Sequence, residues 1–160
     1  MDETADKVRA LLDTARILEA IHAPYALIGG IAVGIHSRVP RATADTDIAV
    51  LSTIDLDAVS RSLTQAGFRR IGAFRHSVNF RHKSGEPVQI IFDATFDPMI
   101  ARAERFEMGD VSVPIVCKLD LIEMKQRAAA DPARRRSKAL QDQADVELLR
   151  GDVPDPDEGW

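Results

Sequence analysis

The sequence holds one cysteine, one tryptophan and one tyrosine in 160 residues, and aromatic residues make up only 5% of it. A single cysteine excludes an internal disulfide framework and any zinc site built from several thiolates. Cys117 stands in the apolar stretch VPIVC, where a buried, inert thiol is expected. No apolar run is long enough to cross a bilayer, so no membrane role is expected. The first twenty residues carry acids and lack the basic start and small-residue cleavage site of a secretory leader, which makes the cytoplasm the expected location. An excess of positive charge is missing too. The formal net charge of −4 argues against general adhesion to nucleic acid and leaves only a local basic groove open. What is present, 45% hydrophobic and 29% charged residues, describes a globular chain of one-domain size. Residues 1–150 are expected to form that domain. Residues 151–160, with Pro154, Pro156 and four acids, read as an irregular tail in which Trp160 is a loose end or an anchor.

Apolar residues at Val8, Leu11, Leu12, Ala15, Leu18 and Ile21 recur with helical spacing, and Pro24 then precedes an apolar run, Tyr25 to Ile28, that reads as a strand. Gly29 and Gly30 follow, then a short helix over Ile31 to Ile35, ended by Pro40. TDIAVLS predicts a second strand and DLDAVSRSLTQAG a helix closed by Gly67. Strands with turns at Gly72 and at 84–87 are expected through residue 96, then a hairpin at Gly109-Asp110 and helices over 118–130 and 136–149.

Strand alternation puts Asp45 and Asp47 of DTDIAV on one face, roughly 6 to 7 Å apart, where both can reach one cation. Capping and solvation of a strand end is the plainer alternative. Asp93 closes the apolar strand VQIIFD, a costly place for an acid unless it lies at the rim or is paired. Three carboxylates on neighbouring strands would repel unless a divalent cation shared them, and an all-oxygen donor set suits magnesium better than zinc. Gly29 and Gly30, at a strand-to-helix junction, would let a phosphate approach the backbone beside a helix N-terminus, or they form a simple tight turn. His36 is expected to pack or face solvent. His76 and His82, among Arg69, Arg70, Arg75, Arg81 and Lys83, are expected on a solvated sheet face. Arg134, Arg135, Arg136 and Lys138 read as a solvated turn, with an RNA backbone as the alternative occupant.

Together, GGIAVGIHSRVPRATADTDIAV, VQIIFD, VPIVCKLDLIEMKQRAA and KALQDQADVELL resemble the minimal nucleotidyltransferase domains of the polymerase-beta-like superfamily, especially its AbiEii-like branch of bacterial abortive-infection and toxin systems. The resemblance covers most of residues 20–149. It implies an α/β (α+β) fold with a central mixed twisted sheet flanked by helices, the C-terminal helices packing on the core. It further implies transfer of a nucleoside monophosphate from an NTP, ATP among them, to a hydroxyl of RNA, a protein or a small molecule. Asp45 and Asp47 would hold two magnesium ions, with Asp93 bridging to the one that activates the acceptor hydroxyl, as its general base. Gly29 and Gly30 would cradle the triphosphate. Arg41 and Thr43 fall at the family's Arg-x-Thr, and Lys125 at its later lysine, where it contacts phosphate or braces Asp142 or Asp145. An antitoxin or other protein partner is also implied, as is an alternative role as a nucleotide-binding module that has lost transfer. Two departures stand out: Gln141 replaces a basic residue, and Ile31 replaces the serine that follows the glycine in many transferases.

Overall fold

The computed structural model describes residues 3–158, and Trp160 lies outside them. The helical spacing near the N-terminus produces α1 (Glu3–Ala20), followed by β1 (Tyr25–Ile28), in which every residue is buried. The glycines do not separate strand from helix: α2 (Gly29–Ser37) begins on them, earlier than the apolar spacing alone suggests. Next come β2 (Thr46–Val50) and α3 (Leu56–Gln65), whose N-terminus is capped by the Asp55 carboxylate accepting from the backbone N–H groups of Asp57 and Ala58.

β3 (Arg69–Ala73), β4 (Ser77–Arg81) and β5 (Pro87–Ile91) follow. The expected turn at Gly72 is instead a register shift inside β3, between Arg70 and Gly72, and the chain reverses after Ala73. A 3-10 turn (Ala94–Phe96) and a short helix, α4 (Asp97–Ala101), were not legible in the sequence. The hairpin of β6 (Glu104–Met108) and β7 (Val111–Ile115) turns at Gly109, and α5 (Lys118–Ala130) and α6 (Arg136–Leu149) complete the chain. Residues 151–158 are exposed.

The seven strands form one mixed sheet in the order β3-β4-β5-β2-β1-β7-β6. β2 runs antiparallel to β1 and parallel to β5. Leu27, Ile48, Val50, Val88, Ile90 and Phe80 fill the core face, against which α1 and α3 pack. His82 is buried rather than solvated, correcting the sequence expectation. Its Nε2 lies 2.6 Å from Asp13 Oδ2, tying α1 to the β4–β5 turn. α2 packs on β1, β2 and α6, and α5 packs on α6. His36 contributes to this layer through Nε2, 2.7 Å from the Val116 carbonyl. Among the described residues no helix is long and apolar enough to cross a membrane.

Candidate active site

Antiparallel register between β1 and β2 sets Ile28, the last residue before α2, opposite Asp47. The N-terminus of α2 and the aspartate strand therefore meet at one point. Gly29 has φ +75, and a Cβ built there would lie 2.5 Å from Asp47 Oδ2. A Cβ on Gly30 would collide with Arg41 Nη1 and come within 3.0 Å of Thr43 Oγ1. Both glycines thus give room to the protein's own side chains. Asp47 stands against Gly29, and Arg41 and Thr43 stand against Gly30, where the triphosphate was expected to approach. Ile28 supplies no side-chain cap, so the first-turn N–H groups of α2 lack a capping oxygen and retain their attraction for negative charge. Gly29→Ala should cost about 1–3 kcal/mol for the left-handed backbone and the crowded carboxylate, read as a fall in the urea midpoint.

Asp47 Oδ1 is enclosed and has no hydrogen-bond partner. Burial, then the nearby Asp45 carboxylate, pushes the pKa of Asp47 up to about 6, against the pull of Lys125, Lys138 and Arg41. Asp45 itself is exposed at the rim, and Thr43 Oγ1 donates to its carbonyl at 3.0 Å.

Asp93 does not join this pair. In the parallel β2–β5 register Gln89 stands beside Asp47, and Asp93 lies four residues further along, about 13 Å at the usual strand rise. There it caps the 3-10 turn. Its Oδ1 accepts from the Thr95 backbone N–H at 2.9 Å and hydroxyl at 2.7 Å, which hold its carboxyl below the ordinary range. A general base needs the opposite shift. The three-carboxylate arrangement expected from sequence is therefore not formed. Among the described residues no group of three or more His, Cys, Asp or Glu side chains is placed to hold a metal ion. Gln89, which sequence reading passed over, donates through Nε2 to Ser77 Oγ at 3.3 Å. Its place in the alternation of VQIIFD was the available signal.

Behind the aspartates runs a chain of buried charges. Arg41 Nε donates to Asp145 Oδ1 at 2.6 Å, and Lys125 Nζ lies 3.2 Å from Asp145 Oδ2 and 3.3 Å from Asp142 Oδ1. Arg134 Nε donates to Asp142 Oδ2 at 2.6 Å, so this arginine is paired and not merely a solvated turn residue. Three cations and two anions leave one positive charge in excess behind Asp47. Lys125 is a brace between the last two helices. Cys117 opens α5, with Sγ donating to Asp120 Oδ2 at 3.2 Å, and burial pushes its thiol pKa up, away from nucleophilic use.

A cleft of about 680 Å³ opens beyond Gly30, with an apolar wall of Val8, Leu11, Ile31, Ile35 and Met108 and with Lys7, Arg38 and Arg41 as its cations. Neither aspartate lines it, whereas Arg41 and Thr43 do.

Solved structures of similar shape share this architecture. A lincosamide antibiotic adenylyltransferase with lincomycin bound superposes with a TM-score of 0.60 at 13% identity, covering 92% of this chain and 97% of that one. The antibiotic-resistance factor ANT(2'')-Ia gives 0.61 at 17% identity, over 95% and 92%. The chain has the nucleotidyltransferase fold. An antigenic nucleotidyltransferase-like protein from Paracoccidioides brasiliensis also gives 0.61, at 20% identity over 90% of this chain and 75% of that one. No family model and no curated protein matches the sequence. At these identities the similarity carries the nucleotidyltransferase fold and not the activity.

Proposed function

We propose that the protein binds a nucleoside triphosphate with magnesium at Asp45 and Asp47 and transfers its nucleoside monophosphate to an acceptor oxygen, with pyrophosphate leaving. The observation that carries this reading is Asp47 Oδ1, enclosed and unpartnered beside a second carboxylate. A buried anion without a partner is costly, and a shared cation removes that cost. Two carboxylates plus substrate phosphates make an ordinary magnesium donor set, so the residues fit one ion. They do not fit the second ion expected from sequence, since Gln89 stands where its bridging carboxylate would be. Bound magnesium supplies charge neutralisation on the triphosphate oxygens.

The remaining work falls to the chain's own groups. The uncapped N-terminus of α2 and the excess positive charge behind Asp47 attract the phosphates. Arg41, fixed through Nε by Asp145, presents its remaining N–H groups beside Gly30. The apolar cleft next to Gly30 takes the nucleoside. The acceptor hydroxyl would attack the α-phosphorus from the side of Gln89 and release its proton to solvent as the α-phosphorus–oxygen bond to pyrophosphate breaks. The AbiEii-like reading, with its RNA or protein acceptors and antitoxin partner, rests on the Gly-Gly, Arg-x-Thr and Asp-x-Asp pattern. The solved transferase that binds lincomycin supports a small-molecule acceptor.

Gln89 also favours a second reading, a module that binds nucleotide without transferring it, because no carboxylate stands in register to take the acceptor's proton. Calorimetric titration with each NTP, with and without magnesium, should show binding that requires the ion. Release of pyrophosphate with an acceptor then supports transfer. Binding without release under a broad acceptor panel supports the second reading, and absence of magnesium-dependent binding sinks both.

A further inference from the structure

The half of the sheet beyond β2 carries a polar face of its own. Asn79, Gln89 and Asp47 stand in one cross-strand row, and Arg69, Arg81 and Pro87 stand in the next, on the same face and at the level of Asp45. A groove of about 160 Å³ is lined by Asp45, Ile71, Asn79, Arg81 and Gln89 among others, and Arg69, outside that lining, stands opposite Arg81 on the neighbouring strand. Two features in and beside it are uncompensated. Arg69 and Arg81 are directly opposite each other, and like charges so placed destabilise a strand pair. Among the described residues neither arginine lies within ion-pair distance of a carboxylate; Arg81 Nη1 donates to the Gly85 carbonyl at 2.8 Å. The second feature is Asn79 Oδ1, enclosed and unpartnered in the adjoining row.

We propose that this groove is the acceptor site and selects a small molecule bearing a phosphate monoester, which Arg69 and Arg81 hold together. An anion between the guanidiniums turns their repulsion into two charge-assisted contacts. Gln89 and Asn79 hydrogen-bond the neutral hydroxyls of the same molecule and bring its free oxygen up to the aspartate site. The groove, about 160 Å³, is too small to take a strand of nucleic acid. Polycationic acceptors are turned away by the same arginines. The acceptor role rests on the transferase reading above; the anion site itself does not.

Thermal unfolding of the full chain with glucose 6-phosphate, against glucose in sodium chloride of equal ionic strength, separates the two. The phosphate ester should raise the midpoint, and the neutral sugar should not. Arg69→Gln should weaken the sugar-phosphate affinity by about tenfold or more. Without ligand, Arg69→Gln should leave the protein as stable as before or more so, since it relieves a like-charge pair; a merely structural arginine would lower the midpoint. Arg81→Gln gives a second variant should the first fold poorly. An equal shift in wild type and variant, no shift in wild type, or a response to an oligoribonucleotide alone overturns the proposal. Should sugar phosphate fail while magnesium-dependent NTP binding and pyrophosphate release persist, the acceptor assignment falls and the transferase reading stands. Sugar-phosphate binding without NTP binding leaves the anion site standing and overturns its role as an acceptor site.

Discussion

Asp47→Asn is expected to abolish magnesium-dependent nucleotide binding and, in the metal-free protein, to raise stability at neutral pH. The variant removes the charge that a cation would share, and an affinity loss of about 100-fold or more follows from losing a direct ligand, since even outer partners cost up to that much. The stability effect has a definite sign. Asp47 titrates near 6 in the folded protein and near 3.8 in the unfolded chain. Between those values the unfolded state releases its proton first, so stability falls as pH rises, and the full penalty is in place above about pH 6. Two units correspond to about 3 kcal/mol, which asparagine would recover at pH 8 and not below pH 4. Calorimetric unfolding at both pH values, with chelator present, checks it. A variant less stable than wild type at pH 8 would show that the carboxylate is paired after all.

Asp142→Ala should be the most damaging single change to the fold outside the apolar core. The side chain is 2% exposed and accepts from Lys125 at 3.3 Å and from Arg134 at 2.6 Å. Its removal leaves the buried ammonium of Lys125 with Asp145 alone and frees Arg134, a loss of about 3–5 kcal/mol for a broken buried pair. Lys125→Met should cost less, because Asp142 keeps Arg134 and Asp145 keeps Arg41. The same substitution should raise the Asp47 pKa, since Lys125 is the first of the cations that lower it. Urea unfolding ranks the two variants, and carboxyl NMR titration follows Asp47. A milder loss for Asp142→Ala than for Lys125→Met would contradict the network as described.

Much of the fold was open to reading because its signals are local. Helical apolar spacing announced α1, α3, α5 and α6, an apolar run announced β1, alternation announced β2, and Gly109-Asp110 announced the last hairpin. Short α4 has too few residues to show a period. His82 was misread because its neighbours in sequence are charged, while its partner Asp13 lies 69 residues away on α1. The ion pairs of Lys125 with two aspartates of α6 are long-range too, and no local signal near residue 125 announces them.

The candidate site divides along the same line. Asp45 and Asp47 were legible because their common face follows from the two-residue period of a strand, and Gly29 and Gly30 because a strand ran directly into a helix. Sequence could not say which residue of β5 stands beside Asp47, since the parallel register of two strands about forty residues apart is a property of their packing and not of either segment. An aspartate at the end of an apolar strand drew the eye, yet the pairing set Gln89 in its place and left Asp93 to cap a turn. By itself, then, the sequence determined most of the helices and strands, the aspartate pair and the glycine junction, all fixed by short-range geometry. Only the tertiary structure decided that the site has two carboxylates rather than three, that Arg41 and Lys125 are held by α6, and that two arginines face each other beside Asp45.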